Sequence, residues 1–244
     1  MSAVRPTWQS QKDPPRPGDD EVHIWSTALA RSPEQLATLT ECLADEDRER
    51  ADRYQLTEAR NDFIVARATL RSVLGRYLGV EPRRVVFRYG PQGKPFLASG
   101  KLHFNLTHSH GLALVALSRT VEVGVDVERI RPFNDLQFAE RYFSPREVNF
   151  LKTVSQPERT EMFFHAWTRK EAFLKATGEG IALGLDRIEV ELRLEEPARL
   201  VLLDGCPTRA AEWSLIHLQP AVGYVGALAL MRRGMRVNCW SWLS

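Results

Sequence analysis

The stretch VGVDVERI, residues 123–130, sets valines between Gly124, Asp126 and Glu128. Alternation of this kind is the pattern of a β-strand with one apolar and one polar face. Val125 and Val127 give the apolar face, and Ile130 closes the run. The two carboxylates, two residues apart, point to the same side, where like charges repel. Two partners could offset them. One is Arg129 or Arg131 at a solvated strand end, where an ion pair contributes little. The other is a divalent cation. Mg²⁺ prefers a few carboxylates, waters and substrate phosphates to an all-protein cage. A third carboxylate would decide between them.

Outward from this strand, the chain of 244 residues suffices for one large domain or two small halves sharing a core. EVHIWSTAL, residues 21–29, alternates as a first strand. Residues 32–54 read as one helix or two, with Ser32 as cap and Pro33 in the first turn. A long helix is predicted from about Thr57 to Tyr77, with Phe63, Ala66, Leu70, Val73 and Tyr77 on one stripe. RVVFRYG reads as a strand, GPQGKP as a turn, and LHFNLTHSHGLALVALSR as two strands broken at THSHG. After residue 130, SPREVNFL and a helix ending at Gly178 precede three strands: LDRIEVELRL, AEWSLIHLQP and VGYVGALALM.

The runs HGLALVALSR (110–119) and VGYVGALALMR (222–232) echo one another. With the repeated order of helices and strands, they suggest an α+β fold of two similar α/β halves. The expected division is a flexible N-terminal arm at 1–20, halves at 21–122 and 123–232, and a C-terminal tail at 233–244. Chance similarity of two Ala/Leu-rich strands explains the echo as well.

Composition narrows the function. A formal net charge of +2 gives no argument for nucleic acid, and leaves open a local basic site for a small polyanion. Cys42, Cys206 and Cys239 form neither a disulfide framework nor a zinc pattern, so a reducing, cytoplasmic location is expected. No signal-type apolar segment opens the chain, and no run approaches membrane-spanning length, so no membrane partner is expected. Walker, GxGxxG, GxSxG and HExxH motifs are missing.

The third carboxylate comes from FFHAWTRKEAFLKATGEG, residues 163–180. Phe163, Trp167, Lys170 and Leu174 share one helix face, and Phe164, Thr168, Glu171 and Lys175 the next. Glu171 and Lys175 have i,i+4 spacing, which also suits a surface ion pair worth a few tenths of a kcal/mol. The bulky aromatics beside them favour a cleft wall. There Glu171 would complete a metal set and Lys175 would reach a phosphate. Basic residues gather upstream: Arg60, Arg67 and Arg71 on one helix face, with Arg50 and Arg53 before them. Lys94 lies in the QGKP turn, whose glycine lets backbone approach a ligand. His108 and Ser109 stand among Asn105 and Thr107 in NLTHSHG, a donor-rich stretch suited to phosphate oxygens. His103, His110, His165 and His217 are read as structural.

GKP, FNLTHS, GVDVERI, FSPREVNFL and WTRKEAFLKATGEG follow in this order. Over about residues 21–232 the chain resembles the 4′-phosphopantetheinyl transferases of the surfactin-synthetase-activating type. GVDVE and WTRKEAFLK, some forty residues apart, are the specific pair. The resemblance implies transfer of phosphopantetheine from coenzyme A to a serine of an apo acyl or peptidyl carrier protein, with release of adenosine 3′,5′-bisphosphate. It implies a monomer of two similar halves with coenzyme A and Mg²⁺ between them. Asp126, Glu128 and Glu171 would then bind Mg²⁺. Glu171 and Lys175 would be catalytic, with Lys175 also on the pyrophosphate. His108 and Ser109 would touch coenzyme A phosphates, and Gly93, Lys94 and Pro95 would lie beside the nucleotide. Arg53 and Arg60 would meet the 3′-phosphate. Here the family's DRRRF is ARNDF (59–63), with Asn61 and Asp62 in place of basic residues and Arg67 and Arg71 available to compensate. Two other classes use the same features. One is another Mg²⁺-dependent phosphoester or pyrophosphate-cleaving enzyme, and the other a non-catalytic binding module, which would be marked by loss of a carboxylate or the lysine.

Overall fold

The structure is a computed structural model and describes residues 7–10, 15–180 and 184–242. The rest of the N-terminal arm, residues 181–183 and the last two residues of the tail lie outside the described residues. The first half holds β1 (Trp8–Ser10), β2 (Glu21–Ala28), α1 (Pro33–Glu41), α2 (Asp45–Ala51), α3 (Thr57–Leu78), β3 (Phe87–Tyr89), β4 (Pro95–Leu97), β5 (His103–Ser109) and β6 (Leu112–Ser118). The second holds β7 (Val123–Arg129), α4 (Asp135–Tyr142), α5 (Pro145–Lys152), α6 (Glu158–Thr177), β8 (Ile188–Val190), β9 (Leu200–Leu203), α7 (Pro207–Ala210), β10 (Ser214–Leu218) and β11 (Tyr224–Leu230). The last strand is β12 (Arg236–Ser241).

Local signals set the helix ends. Ser32 accepts from the Gln35 amide and Gln35 answers on the Ser32 amide, a capping box that starts α1. The chain breaks after Glu41, so residues 32–54 form two helices. α3 and α6 each end on a left-handed glycine, Gly79 and Gly178, which has no Cβ to clash.

Each half lays its longest helix on a sheet. Leu70, Val73 and Leu74 of α3 pack with Trp25, Phe104, Val115 and Leu117 on one face of a five-stranded sheet, order β1-β12-β2-β6-β5. Ala172, Phe173 and Ala176 of α6 pack with Val225, Ala227 and Ala229 on the three-stranded sheet β10-β11-β7. The remaining faces meet: Val22, Ile24, Leu112 and Leu114 lie against Val123, Val125, Val127 and Leu228. The order is helix, sheet, sheet, helix, which makes two α/β lobes back to back. Period-two alternation explains how β2, β6 and β7 can each serve two layers. Each fully buried Val or Leu contributes about 1.5–3 kcal/mol.

Two departures have physical reasons. The stretch set apart as a tail contains β12, which runs parallel to β2 in the first sheet and stacks Trp240 on Trp25 at 5.2 Å. Within the expected arm, Trp8–Ser10 pairs with β12. Such pairing links the chain's two ends and leaves no local period to read. Arg67 and Arg71, expected to compensate at a phosphate, are buried. Arg67 donates to Asp47 at 2.7 Å, and Arg71 donates to Asp47, to Glu46 and to the Val85 carbonyl. They tie α2 to α3 through the buried Asp47.

The contact that places the site is between α6 and β7. A Cβ on Gly124 would stand 2.0 Å from the Ala172 carbonyl oxygen and 2.3 Å from the Ala176 nitrogen. Only hydrogen fits there. Gly124→Ala should therefore lift α6 off β7 and cost at least the ~1–3 kcal/mol usual for overpacking. A urea midpoint within error of wild type would show that α6 does not rest on Gly124.

Candidate active site

Gly124, Asp126 and Glu128 share the face of β7 that α6 crosses. One turn apart on α6, Glu171 and Lys175 lie beside the Ala172 and Ala176 backbone that meets Gly124. Lys175 Nζ donates to Asp126 Oδ1 at 2.6 Å and to Thr107 Oγ1 at 3.0 Å. Thr107 in turn donates to Asp126 Oδ1 at 3.0 Å. The alternative of a Glu171–Lys175 surface pair is not what forms: the lysine turns inward to Asp126. Nor do Arg129 and Arg131 cap the carboxylates. Arg131 reaches Glu128 only through its field.

The third contributor is β5, whose alternate residues face β7. Asn105 Oδ1 accepts the Val125 amide at 3.0 Å, Thr107 reaches Asp126, and Ser109 donates to Glu128 Oε2 at 2.6 Å. Two polar residues two apart on one strand thus meet two carboxylates two apart on another. The sequence reading treats Thr107 as surroundings and passes over Gly124. The matched spacing of N-x-T-x-S and D-x-E was the available signal, and it has meaning only once the strands are neighbours.

The carboxylates carry more negative charge than the protein satisfies. Asp126 Oδ2 and Glu171 Oε1 are buried with no hydrogen-bond partner. Burial, then Asp126, then Glu128 push the Glu171 carboxyl above its ordinary value, with Lys175 pulling the other way. Burial likewise raises Glu128, against the Ser109 hydrogen bond. Among the described residues, no three His, Cys, Asp or Glu side chains converge as a preformed metal cluster.

A cleft of about 240 Å³ opens beside these groups, lined by Gly93, Lys94, Pro95, Glu171, Lys175 and Gly178 among others. The GKP turn of the first half therefore faces α6 of the second. Gly93 takes a left-handed φ of 79°. Lys94 Nζ donates to Glu122 at 2.6 Å and to the Ala176 carbonyl at 2.9 Å, which fixes the turn across the lobes. His108 is exposed and faces away from Ser109 by strand alternation. Partial desolvation by the protein around it, helped by the positive Lys175, holds its imidazole below the usual value, against the pull of Asp62. Ser109, expected on a coenzyme A phosphate, is instead buried with its hydroxyl on Glu128. Arg53 is exposed, and Arg60 pairs with Asp52 at 3.0 Å; neither lines this cleft.

Residues 122–229 match the 4′-phosphopantetheinyl transferase superfamily, and residues 28–120 match the N-terminal family of 4′-phosphopantetheinyl transferase. The 4′-phosphopantetheinyl transferase HetI of Nostoc sp. is 42% identical over 226 residues, 91% of this chain and 92% of that protein. The transferase psf-1 of Bacillus pumilus is 36% identical over 70% of this chain and 72% of its own. Sfp of Bacillus subtilis is 29% identical over 67% and 72%. The chain belongs to the 4′-phosphopantetheinyl transferase superfamily. Its reaction is the family's, transfer of phosphopantetheine from coenzyme A to a serine of a carrier protein.

The carboxylate charge has a consequence for stability. A carboxyl whose folded pKa lies above its unfolded value binds its proton more readily when folded. It therefore costs stability above that pKa, and the cost fades as pH falls through it. In metal-free protein, Glu171→Gln should raise the urea midpoint at pH 7. It should also reduce the gain that wild type shows as pH falls toward 4.5, the ordinary glutamate value. A lowered midpoint at pH 7 would mean that Glu171 is stabilised by its neighbours.

Proposed function

We propose that the chain is a Mg²⁺-dependent 4′-phosphopantetheinyl transferase of the surfactin-synthetase-activating type. It would act as a monomer on apo acyl or peptidyl carrier proteins and release adenosine 3′,5′-bisphosphate, a holo-acyl-carrier-protein synthase activity. The observation that carries this is the Lys175–Asp126 contact between α6 and β7, with Glu171 in the field of Asp126 and Glu128, beside the Gly93–Pro95 turn. Residues 122 and 123 are taken as the seam between halves, with β12 returning to the first. Three free cysteines agree with a cytoplasmic location.

Asp126, Glu128 and Glu171 would hold the Mg²⁺. The partnerless Asp126 Oδ2 and Glu171 Oε1 and the raised Glu128 and Glu171 carboxyls suit an oxygen-loving cation. When bound, the cation neutralises charge on the pyrophosphate of coenzyme A. Lys175, already beside Asp126, supplies a fixed positive charge for the departing 3′,5′-bisphosphate. Glu171 would take the proton of the attacking serine, directly or through a water. Gly93, Lys94 and Pro95 bound the nucleotide. His108 would offer its imidazole to a coenzyme A phosphate, and Arg53 and Arg60, which lie outside the cleft of about 240 Å³, would meet the 3′-phosphate only of a donor that extends beyond it.

Incubation with coenzyme A, Mg²⁺ and a panel of apo carrier proteins, read by intact mass, tests the assignment. Addition of one phosphopantetheine to a carrier is expected. Cleavage of coenzyme A with every carrier left unmodified would instead indicate a pyrophosphate-cleaving enzyme. Lys175→Met keeps the apolar stem and should lower single-turnover transfer at least about tenfold, or about 1.4 kcal/mol of barrier. Normal transfer would remove Lys175 from the chemistry. His108→Ala should narrow the preference in kcat/KM for coenzyme A over its 3′-dephospho form. An unchanged ratio would place His108 away from the 3′-phosphate.

A further inference from the structure

Glu128 is the end of a hydrogen-bonded chain that the transfer reaction does not itself require. A carboxylate only accepts, so the Ser109 hydroxyl donates its single proton to Glu128 Oε2 at 2.6 Å. The 2.9 Å contact between Ser109 Oγ and His110 Nδ1 can then form in one way, with the imidazole N–H donating to the serine. The order His110, Ser109, Glu128 follows from proton counting.

The backbone holds this chain in place. His110 and Gly111 are the two residues between Ser109 and Leu112, which pair across the β5–β6 hairpin. Their φ values of 45° and 88° are those of a two-residue turn with both central residues left-handed. Histidine is among the non-glycine residues that tolerate a left-handed φ. Its carbonyl accepts from the Tyr224 hydroxyl of β11, so the second lobe grips the turn that carries it. Ser109 is 8% exposed, leaving its hydroxyl little access to a ligand.

We propose that Ser109 and His110 are positioning residues for Glu128, holding its carboxylate ready for the cation, and that Ser109 does not contact coenzyme A phosphate. The proposal rests on the assignment of Glu128 as a Mg²⁺ ligand. Groups that orient a metal-binding carboxylate typically govern metal affinity by about 10–100-fold.

The test uses Mn²⁺ binding to the ligand-free protein, followed by electron paramagnetic resonance, and coenzyme A binding by calorimetry in EDTA. Ser109→Ala should weaken Mn²⁺ about tenfold and leave metal-free coenzyme A affinity unchanged within about twofold. His110→Gly suits the turn and removes only the imidazole. It should weaken Mn²⁺ without lowering the unfolding temperature, a combination that loss of a merely structural contact would not give. Unchanged Mn²⁺ affinity in S109A, or a loss of coenzyme A affinity in EDTA in its place, overturns the proposal. Glu128→Gln separates the two levels. If E128Q weakens Mn²⁺ and S109A does not, the positioning role alone fails. If E128Q leaves Mn²⁺ binding unchanged, the metal assignment fails and the proposal with it.

Discussion

The approach of α6 onto Gly124 is the constraint on which the site depends. With only a hydrogen between them, the helix backbone touches the strand at Ala172 and Ala176. The side chains flanking that contact, Glu171 and Lys175, are thereby brought level with Asp126. A methyl at Gly124 would separate the helix from the strand, and with it the lysine from the aspartate. Buried Lys170 supports the same helix from the side. It donates to Glu147 at 2.5 Å and to the Leu185 carbonyl at 2.9 Å, and Glu147 also accepts the Ser144 and Val190 amides. The SPRE segment therefore serves α6 as well as capping α5.

Around this contact the protein gathers negative charge and leaves part of it unsatisfied. Burying a carboxylate oxygen without a partner is costly. Lys175 offsets Asp126, while Glu128 has one serine hydroxyl and Glu171 retains a bare oxygen. A fold selected only for stability would place apolar groups here. At Asp47, by contrast, two guanidinium groups share one buried carboxylate. That contrast marks the site independently of any motif, because perturbed carboxyls collect where a ligand supplies the missing charge.

Both lobes contribute to the cleft, and polar ties across them keep it in register. Asn105 holds the β7 backbone, Lys94 reaches the Ala176 carbonyl, and Tyr224 holds the His110 turn. The apolar sheet-to-sheet core beneath supplies most of the cohesion but is non-directional. The directional bonds determine which strand residues face one another.

The sequence by itself determined the elements whose signals are local. The period of VGVDVERI, the capping box at Ser32 and the glycines after α3 and α6 each act within a few residues. The order of GKP, GVDVERI and WTRKEAFLK likewise pointed to the family and singled out Asp126, Glu128, Glu171 and Lys175 as candidates. Tertiary structure alone decided their partners. Glu171 and Lys175 suit an ion pair by spacing, yet Lys175 binds Asp126, because α6 presses that face against β7. Arg67 and Arg71 look like phosphate ligands until Asp47, some twenty residues earlier, is folded beneath them. Ser109 looks like a ligand contact until β5 is laid beside β7. β12 gives little local sign of joining β2, more than 200 residues away. Hydrogen bonding and packing between distant segments depend on which surfaces the fold brings within a few ångströms, and local spacing does not encode that.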